Sequence, residues 1–568
     1  MKNIEWVTNN TFNEDIVKLF INELRLPSVL AKILVQRGFT DVNQVRKFFH
    51  PDLQHLYDPF LLEGMDEAAK LIISEITNNH KILVYGDYDV DGICAAAILK
   101  LFFRKLNAFV DIYIPNRLEE GYGVSKNGID YALQNNFSLI ITVDCGITAI
   151  EEVDYARSKG LKVIISDHHQ PKDILPNADV LINPVLPYSK YPFKSLSGAG
   201  VAFKLIQAIA KKLGMTNDIT EYLDLVAIAT AADIVPLNNE NRVLVHYGLE
   251  NIRNNPRPGV KAILNKASIN YEEISVTNIV FAIAPRINAV GRLGNALPSI
   301  DILTSNDEDY VVTLAEELNQ GNLQRRQLDK QIMEEAVKII EENELNKNNY
   351  IFVLHNDKWH QGVNGIVASR LVEKYYKPAI MLSTVDGLAK GSARSIPGIN
   401  LFELFKTCED LLTEFGGHAA AAGVSLKIEN IPLLNERLNE ILASTVSEDV
   451  FVKKINIDSI IQFKDITPKF LKYLDMFAPF GPSNMRPVFL CENVKFTKIR
   501  SNPNNHFIAY CTQENCKTTF EATGYSLADK LTIDNLDATY DIVFSIGYVT
   551  KDTVVTPQLN IKDIRLHK

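Results

Sequence analysis

Three short apolar runs rich in β-branched residues each end in an aspartate. Ile82–Tyr85 leads into Gly86-Asp87-Tyr88-Asp89-Val90-Asp91-Gly92, Leu139–Val143 into Asp144-Cys145-Gly146, and Val163–Ser166 into Asp167-His168-His169. Runs of this length and composition read as strands buried on both faces, as in a parallel sheet. Helical stretches lie between them at Ala95–Leu106, Lys126–Asn136 and Ile147–Ser158, with a further strand at Asp111–Pro115. Strand alternating with helix implies βαβ units and an α/β fold. In such sheets the strand carboxyl ends open onto one crevice, where ligands bind. Carboxylates and imidazoles far apart in sequence should therefore converge, and the expectation is a metal site.

At 568 residues the chain exceeds the roughly 250–300 residues at which a single core stops growing, so several domains are expected. The region before Lys81 reads as helical, punctuated by Pro51 and Pro59, and Tyr222–Ala232 reads as a helix that delivers Asp233 at its end. Asp307–Asn346 is a long charged helical stretch interrupted by Gly321, placed as a bridge between domains. Tyr350–Leu354, Gly365–Tyr376 and Ala379–Ser383 read as strand, helix and strand of a second α/β region, and from Phe451 onward the chain reads as short strands and turns. The net charge of −10 argues against a protein that coats duplex DNA by bulk electrostatics. It leaves room for nucleic acid held in a local basic groove. No apolar run is long enough for a membrane span, the N-terminus from Met1 to Trp6 lacks the apolar core of a secretion signal, and six cysteines fit a reducing cytosol.

Alternate aspartates in Asp87–Gly92 can present several carboxylates to hard cations, and Gly92 allows a tight turn into the next helix. A calcium-type or solvated acidic loop is the other reading, although no glutamate stands where an EF-hand needs its last ligand. Adjacent His168 and His169 behind an aspartate are hard to explain by packing, and imidazole beside carboxylates suits Mn²⁺ or another transition ion. Asp144 and Asp233, each a cap or surface residue when taken alone, complete an inventory for two metals. Paired ions polarise a phosphoryl group and steady the leaving oxygen, so metal-dependent phosphoester hydrolysis is the leading reaction. Cys491, His506, Cys511 and Cys516 lack the tight CxxC pair of a zinc site.

The order of these motifs resembles the DHH phosphoesterase superfamily and, within it, the RecJ single-strand exonucleases. Asp87–Gly92, Val143–Gly146, Asp167–His169 and Ala227–Asp233 match the successive phosphoesterase motifs, and Pro51–Ala69 is similar to the family's N-terminal approach. Ala284–Arg292, Trp359–Val363 with Gly365–Arg370, Gly391–Ser395 and Gly416-Gly417-His418 resemble segments characteristic of RecJ. The resemblance implies an α/β fold: a helical segment over 1–75, a parallel-sheet DHH phosphoesterase domain over 76–245 and a DNA-path segment over 246–304. A bridging helix over 305–347, a second α/β domain over 348–447 and a C-terminal β-barrel of the oligonucleotide-binding (OB) type over 448–568 complete it. It implies that Asp89 and Asp144 bind one ion, with Asp87 assisting. Asp91, Asp144, His169 and Asp233 would bind the second, while His168 meets the scissile phosphate and Asp167 belongs to the catalytic set. Pyrophosphatase relatives carry a histidine four positions before the first metal aspartate, where this chain has Tyr85.

On the substrate side the resemblance points to Arg286, Asn288 and Arg292 along the strand's path, with Ser392, Arg394, Gly417 and His418 gripping phosphates near its end. Arg325 and Arg326 of the bridging helix either touch the strand or face solvent. Phe477–Pro487 departs from the family's turn, with Ser483 and Met485 in place of a glycine and a proline. The implied activity is 5′-to-3′ digestion of single-stranded DNA to mononucleotides with two divalent ions, Mn²⁺ or Mg²⁺, in recombination and repair. The implied setting is a cytoplasmic monomer working with single-strand-binding protein and a RecQ-type helicase. The alternatives are a DHH phosphodiesterase of short oligonucleotides or cyclic dinucleotides, and a scaffold that holds single strands without cutting.

Overall fold

Five parallel strands form the first sheet: β1 (Lys81–Gly86), β2 (Phe109–Tyr113), β3 (Leu139–Val143), β4 (Lys162–Ser166) and β5 (Val180–Ile182), in spatial order β2-β1-β3-β4-β5. The order reverses between β1 and β3, and in open α/β sheets that switch point is where a crevice opens at the strand carboxyl ends. Every residue of β3 is buried, as the apolar runs predict. Leu83, Tyr85, Ile140, Val163 and Ile165 share a core with Ile129 and Ala132 of α2 (Lys126–Gln134) and Val153 and Ala156 of α3 (Ile150–Ser158). A second layer contains α1 (Val90–Lys105), which packs on α4 (Gly198–Leu213) and α5 (Leu223–Ala232). The run Ala95-Ala96-Ala97, wholly buried, gives α1 the slender flank needed between neighbours.

These elements belong to the first of two units, comprising residues 57–235 and 244–453. The computed structural model describes residues 4–9, 11–117, 119–121, 123–215, 219–293, 296–514, 516–531, 538–551 and 554–567, so Met1–Asn3 of the N-terminus lie outside it. Within the same unit, α6 (Ala284–Leu293) follows a π-helical turn at Ile279–Ile283 and packs on α7 (Glu308–Glu342). α7 is one unbroken helix of 35 residues, so Gly321 does not interrupt it as expected. Gly321 is buried where α7 crosses α6, and a Cβ there would lie 3.5 Å from Val290 and 3.8 Å from Ala289, so burial offsets its weak helical preference. Farther along α7, Ile332, Ala336 and Ile340 join the core of the second sheet. That sheet runs β9-β10-β8-β7-β6, built from β6 (Phe352–His355), β7 (Ala379–Val385), β8 (Leu388–Arg394), β9 (Leu412–Gly417) and β10 (Ala421–Lys427). Only β6 and β7 pair in parallel; α8 (Gln361–Tyr375) packs against β7 and β8.

The second unit comprises residues 4–56, 236–243 and 454–568. Its strands β11 (Phe489–Ser501), β12 (Phe507–Gln513), β13 (Phe520–Gly524), β14 (Thr539–Lys551) and β15 (Val554–Leu566) pair in the order β11-β12-β13-β15-β14, and β14 returns to β11. This is a closed five-stranded barrel of the OB type, which leaves no long free edge. Three of the strands are 13 residues long rather than short. Register shifts at Cys491/Val494, Thr497/Arg500 and Val543/Phe544 break their alternation, which is why the sequence reads as shorter pieces. The N-terminal helices do not form a module of their own. Val17, Phe20, Leu30, Leu34 and Phe48 share one core with Phe470, Phe477, Phe489 and Phe544. A strand missed in the sequence, Glu5–Thr8, pairs in parallel with Lys454–Ile457. Ser483, standing where a glycine was expected, adopts φ +59°, the left-handed conformation a glycine would supply. Cys491 and Cys511 lie buried in the barrel core and are free thiols. No helix among the described residues is long and apolar enough to cross a membrane.

Candidate metal centre

β1, β3 and β4 each deliver an acid at the first residue past the strand: Asp87, Asp144 and Asp167. The loop after β1 folds back on itself because Gly92 has no side chain; a Cβ there would stand 2.5 Å from the Asp87 carbonyl oxygen. Asp89 caps α1, its Oδ1 accepting from the backbone N–H groups of Asp91 at 2.8 Å and Gly92 at 3.2 Å. The Asp91 carboxylate accepts from the N–H groups of Gly198 at 2.6 Å and Ala199 at 2.8 Å, so the N-terminus of α4 steadies its charge. Gly198 also lets Asp144 approach, since a Cβ there would lie 2.6 Å from the Asp144 carboxylate. Asp144 itself takes φ +61°, a left-handed conformation that non-glycine residues adopt at a cost. Its N–H donates to the Ser166 carbonyl at 3.0 Å, which fixes the turn to the next strand. Asp233 follows α5 directly, as expected.

These residues meet. Asp87, Asp89 and Asp144 bring carboxylate oxygens within 4.8 Å of one another, and Asp91, His168 and Asp233 do the same. His168 Nε2 lies 3.1 Å from Asp144 Oδ1 and 3.7 Å from both Asp91 Oδ2 and Asp233 Oδ2. Asp144, His168 and His169 likewise bring ligand atoms within 4.8 Å of one another, so His169, the ligand expected from the sequence, lies within reach of the acids together with His168. Asp167 holds the His169 ring, its Oδ1 accepting from His169 Nδ1 at 2.8 Å; that nitrogen stands 3.9 Å from Asp144 Oδ1. Asp167 also accepts from the N–H groups of Ile147, His168 and His169, all bonds that hold the loop rather than face the cluster. Tyr85, at the position of the missing histidine, sends its hydroxyl to Gly123 and Ser125 instead.

The electrostatics call for cations. Burial first, then mutual repulsion, pushes Asp87 and Asp144 well above the usual carboxylate range, and the same causes move Asp233 up to about 8. Burial also raises Asp91, against the opposing pull of His168. Burial would lower His169, but the Asp167 hydrogen bond and charge overcome it and hold the imidazole up at about 9. Asp87 Oδ1 and His168 Nε2 are buried without a hydrogen-bond partner among the described residues. Clustered buried acids with imidazole beside them are a donor set for divalent ions of the Mg²⁺ and Mn²⁺ kind.

A basic wall stands beside the acids. A Cβ on Gly291 of α6 would lie 3.1 Å from the Tyr88 carbonyl oxygen, so α6 abuts the aspartate loop. The next residue, Arg292, donates to the Gly362 carbonyl at 3.2 Å. Burial, then Arg117 and Arg325, bring Arg292 down to about 10, and burial and Arg117 also lower Arg394. Guanidinium groups that depress one another mark a place built for an anion. Arg117, stacked 5.0 Å from the Tyr88 ring centroid, was missed because it stands alone in sequence. Its signal was position, in a loop after a strand of the parallel sheet. Arg286 donates to Asn319 Oδ1 at 3.2 Å and to the Ala282 carbonyl at 2.8 Å, and Asn288 is half-buried on the same helix. Arg325 carries a buried Nε without a hydrogen-bond partner among the described residues, whereas Arg326 is exposed. Ser392 and Arg394 lie on β8, opposite Gly423 and Ala421 of β10. β9 ends at Gly417, at φ +135°, and the turn after it holds exposed His418, so these four residues share one end of the second sheet.

Known proteins carry the same parts. Residues 81–230 match the DHH family N-terminal domain, 347–444 the DHHA1 domain and 457–563 the RecJ OB domain. The single-stranded-DNA-specific exonuclease RecJ of Bacillus subtilis is 39% identical over 553 residues, covering 97% of this chain and 70% of that protein. Its counterpart in Escherichia coli is 32% identical over 484 residues, covering 82% of this chain and 83% of that protein. The crystal structure of Thermus thermophilus RecJ in complex with Mn²⁺ matches with a TM-score of 0.84 at 26% identity, over 99% of this chain and 79% of that one. The Mg²⁺ complex of RecJ from the same organism matches with a TM-score of 0.79 at 25% identity, over 99% of this chain and 78% of that one.

Proposed function

The chain belongs to the RecJ family of single-stranded-DNA-specific exonucleases, and on that premise we propose that it degrades single-stranded DNA from the 5′ end to mononucleotides. The observation that carries this reading is the buried carboxylate set around Asp144 and His168, flanked by Arg292, whose charge burial and the neighbouring Arg117 and Arg325 disfavour. Asp91, Asp144, His168 and Asp233 would hold one divalent ion, and Asp87, Asp89 and Asp144 the other. When bound, the two ions, Mn²⁺ or Mg²⁺, supply Lewis-acid charge at the scissile phosphate.

The chain's own residues do the rest. Asp144 serves both sets, which keeps them at a fixed spacing. Asp167 favours the imidazolium of His169 by accepting from Nδ1, and Nε2–H would then donate to a phosphoryl oxygen or to the leaving oxygen. Arg292 and Arg117 pair with phosphate oxygens beside the aspartate loop, Arg286 and Asn288 continue the strand's path, and Ser392, Arg394, Gly417 and His418 hold the terminal phosphate. Family membership also supports a cytoplasmic monomer acting in recombination and repair beside single-strand-binding protein and a RecQ-type helicase. Pull-down with those proteins and sedimentation of the purified chain test that setting.

The deciding experiment digests single-stranded DNA in Mn²⁺ or Mg²⁺ with 5′-blocked, 3′-blocked and blunt duplex substrates. Expected are mononucleotides, inhibition by the 5′ block, indifference to the 3′ block and no attack on the duplex. Digestion insensitive to the 5′ block would overturn the polarity, and cleavage confined to very short oligomers would replace this reading with a small-substrate phosphodiesterase.

A further inference from the structure

Phe281 exposes 77% of its surface, more than any other large apolar side chain among the described residues. Its neighbours in the π-helical turn are the opposite: Ile279 and Ile283 are fully buried and Ala282 nearly so. The turn itself is therefore anchored, and Phe281 is a fixed projection rather than part of a loose loop. π-Helical turns inside helices are costly and recur at functional sites. This one packs on α5, the helix that ends at Asp233, and it leads directly into α6.

The surroundings identify what such a ring would meet. Arg286 folds back so that its Nη1 donates to the carbonyl of Ala282, the residue after Phe281. Burial and the nearby Arg326 both disfavour the Arg286 charge, so this corner has positive charge to offer. An exposed aromatic beside arginines is the pairing used to hold single strands, bases stacking on the ring and phosphates on the cations. Gly291, which abuts the aspartate loop, is ten residues farther along, or roughly 15 Å at the helical rise. A base on Phe281 would thus belong to the body of the strand, a few nucleotides from the cleaved end.

We propose that Phe281 is a stacking platform for a base of the bound single strand, with Arg286 and Arg326 on the adjoining phosphates. The assignment rests on the single-strand reading above and adds to it a contact that grips any sequence, since every base has a stacking face.

The test uses Phe281→Ala, Phe281→Trp and oligodeoxythymidylates carrying one abasic site moved along the strand. Phe281→Ala should raise KM for single strands about tenfold with kcat unchanged, and should lose the wild type's sensitivity to an abasic site at one position. Phe281→Trp should restore KM, and in chelator its indole emission should be quenched by the intact oligomer but less by the one abasic at that position. Because the quenching needs no cleavage, a protein that binds but does not cut would refute the nuclease reading while still reporting on the platform. Equal KM and equal abasic profiles for wild type and Phe281→Ala, or unquenched emission from Phe281→Trp at saturating oligomer, would overturn the proposal.

Discussion

Asp144 carries the heaviest load of any single residue in the site. It is buried, left-handed in backbone and within reach of both clusters. Asparagine tolerates the left-handed region nearly as well as aspartate, so Asp144→Asn changes the charge and little else. Activity should fall to background, while in chelator the variant should unfold at a higher temperature, by about 1–2 kcal/mol of stability, because a buried repulsion is gone; melting curves with and without chelator check both signs. The two histidines should separate cleanly. His168→Ala should weaken Mn²⁺ binding by calorimetry, whereas His169→Ala should keep it and lose kcat by about 10²–10⁴. If the metal affinity fell in the second variant and not in the first, the assignment of the rings would be reversed. The sequence placed both histidines and all the aspartates at strand and helix ends, yet it could not say how each ring is held. The His169 ring is held by one bond, to Asp167, which has no trace in residue order.

Between residues and domains, the elements of the parallel sheet were the most legible, since buried strands must be apolar throughout and the break to aspartate marks each end. The barrel strands were not, because bulges interrupt their alternation. In α7, Gly321 looked like a break, but the space around it accepts a methyl group at ordinary contact distance. Gly321→Ala should stabilise the unit by about 0.5–1 kcal/mol in chemical denaturation. The helix Met65–Thr77 is tied to the sheet through Glu75, buried on that helix, which accepts from Lys162 at 2.7 Å and faces His80 at 2.9 Å. Burial works against its charge, but Lys162, Ser138 and His80 hold the carboxyl below its ordinary 4.5. A folded value below the unfolded one means stability that is complete above pH 4.5 and lost as pH falls through the folded value. Glu75→Gln should therefore cost about 1–3 kcal/mol at neutral pH and flatten the acid limb of the stability curve.

Across the whole molecule, chain order and spatial order part company. Residues 4–56 and 236–243 belong with 454–568, a grouping that no local pattern announces. Amphipathic helices reveal that they need a partner without revealing which. Arg242 shows how firmly the pieces are joined: its buried guanidinium donates to the carbonyls of Phe48, Met476, Phe477, Ala478 and Pro479 and lies 3.8 Å from the Phe48 ring centroid. A fragment of residues 448–568 alone lacks Phe20, Leu34, Phe48 and Arg242, and it should show no cooperative thermal transition, whereas adding residues 4–56 and 236–243 in one polypeptide should restore it.

That arrangement has a consequence for how the protein is made. The helix Val42–Phe49 leaves the ribosome about 440 residues ahead of β11, whose Phe489 it needs for its core. At ~5–20 residues per second the wait is on the order of half a minute or more. Throughout it the nascent chain carries the apolar faces of Phe20, Leu34 and Phe48 uncovered, so those helices are natural clients for a chaperone, and rapid synthesis protects this protein by shortening the wait.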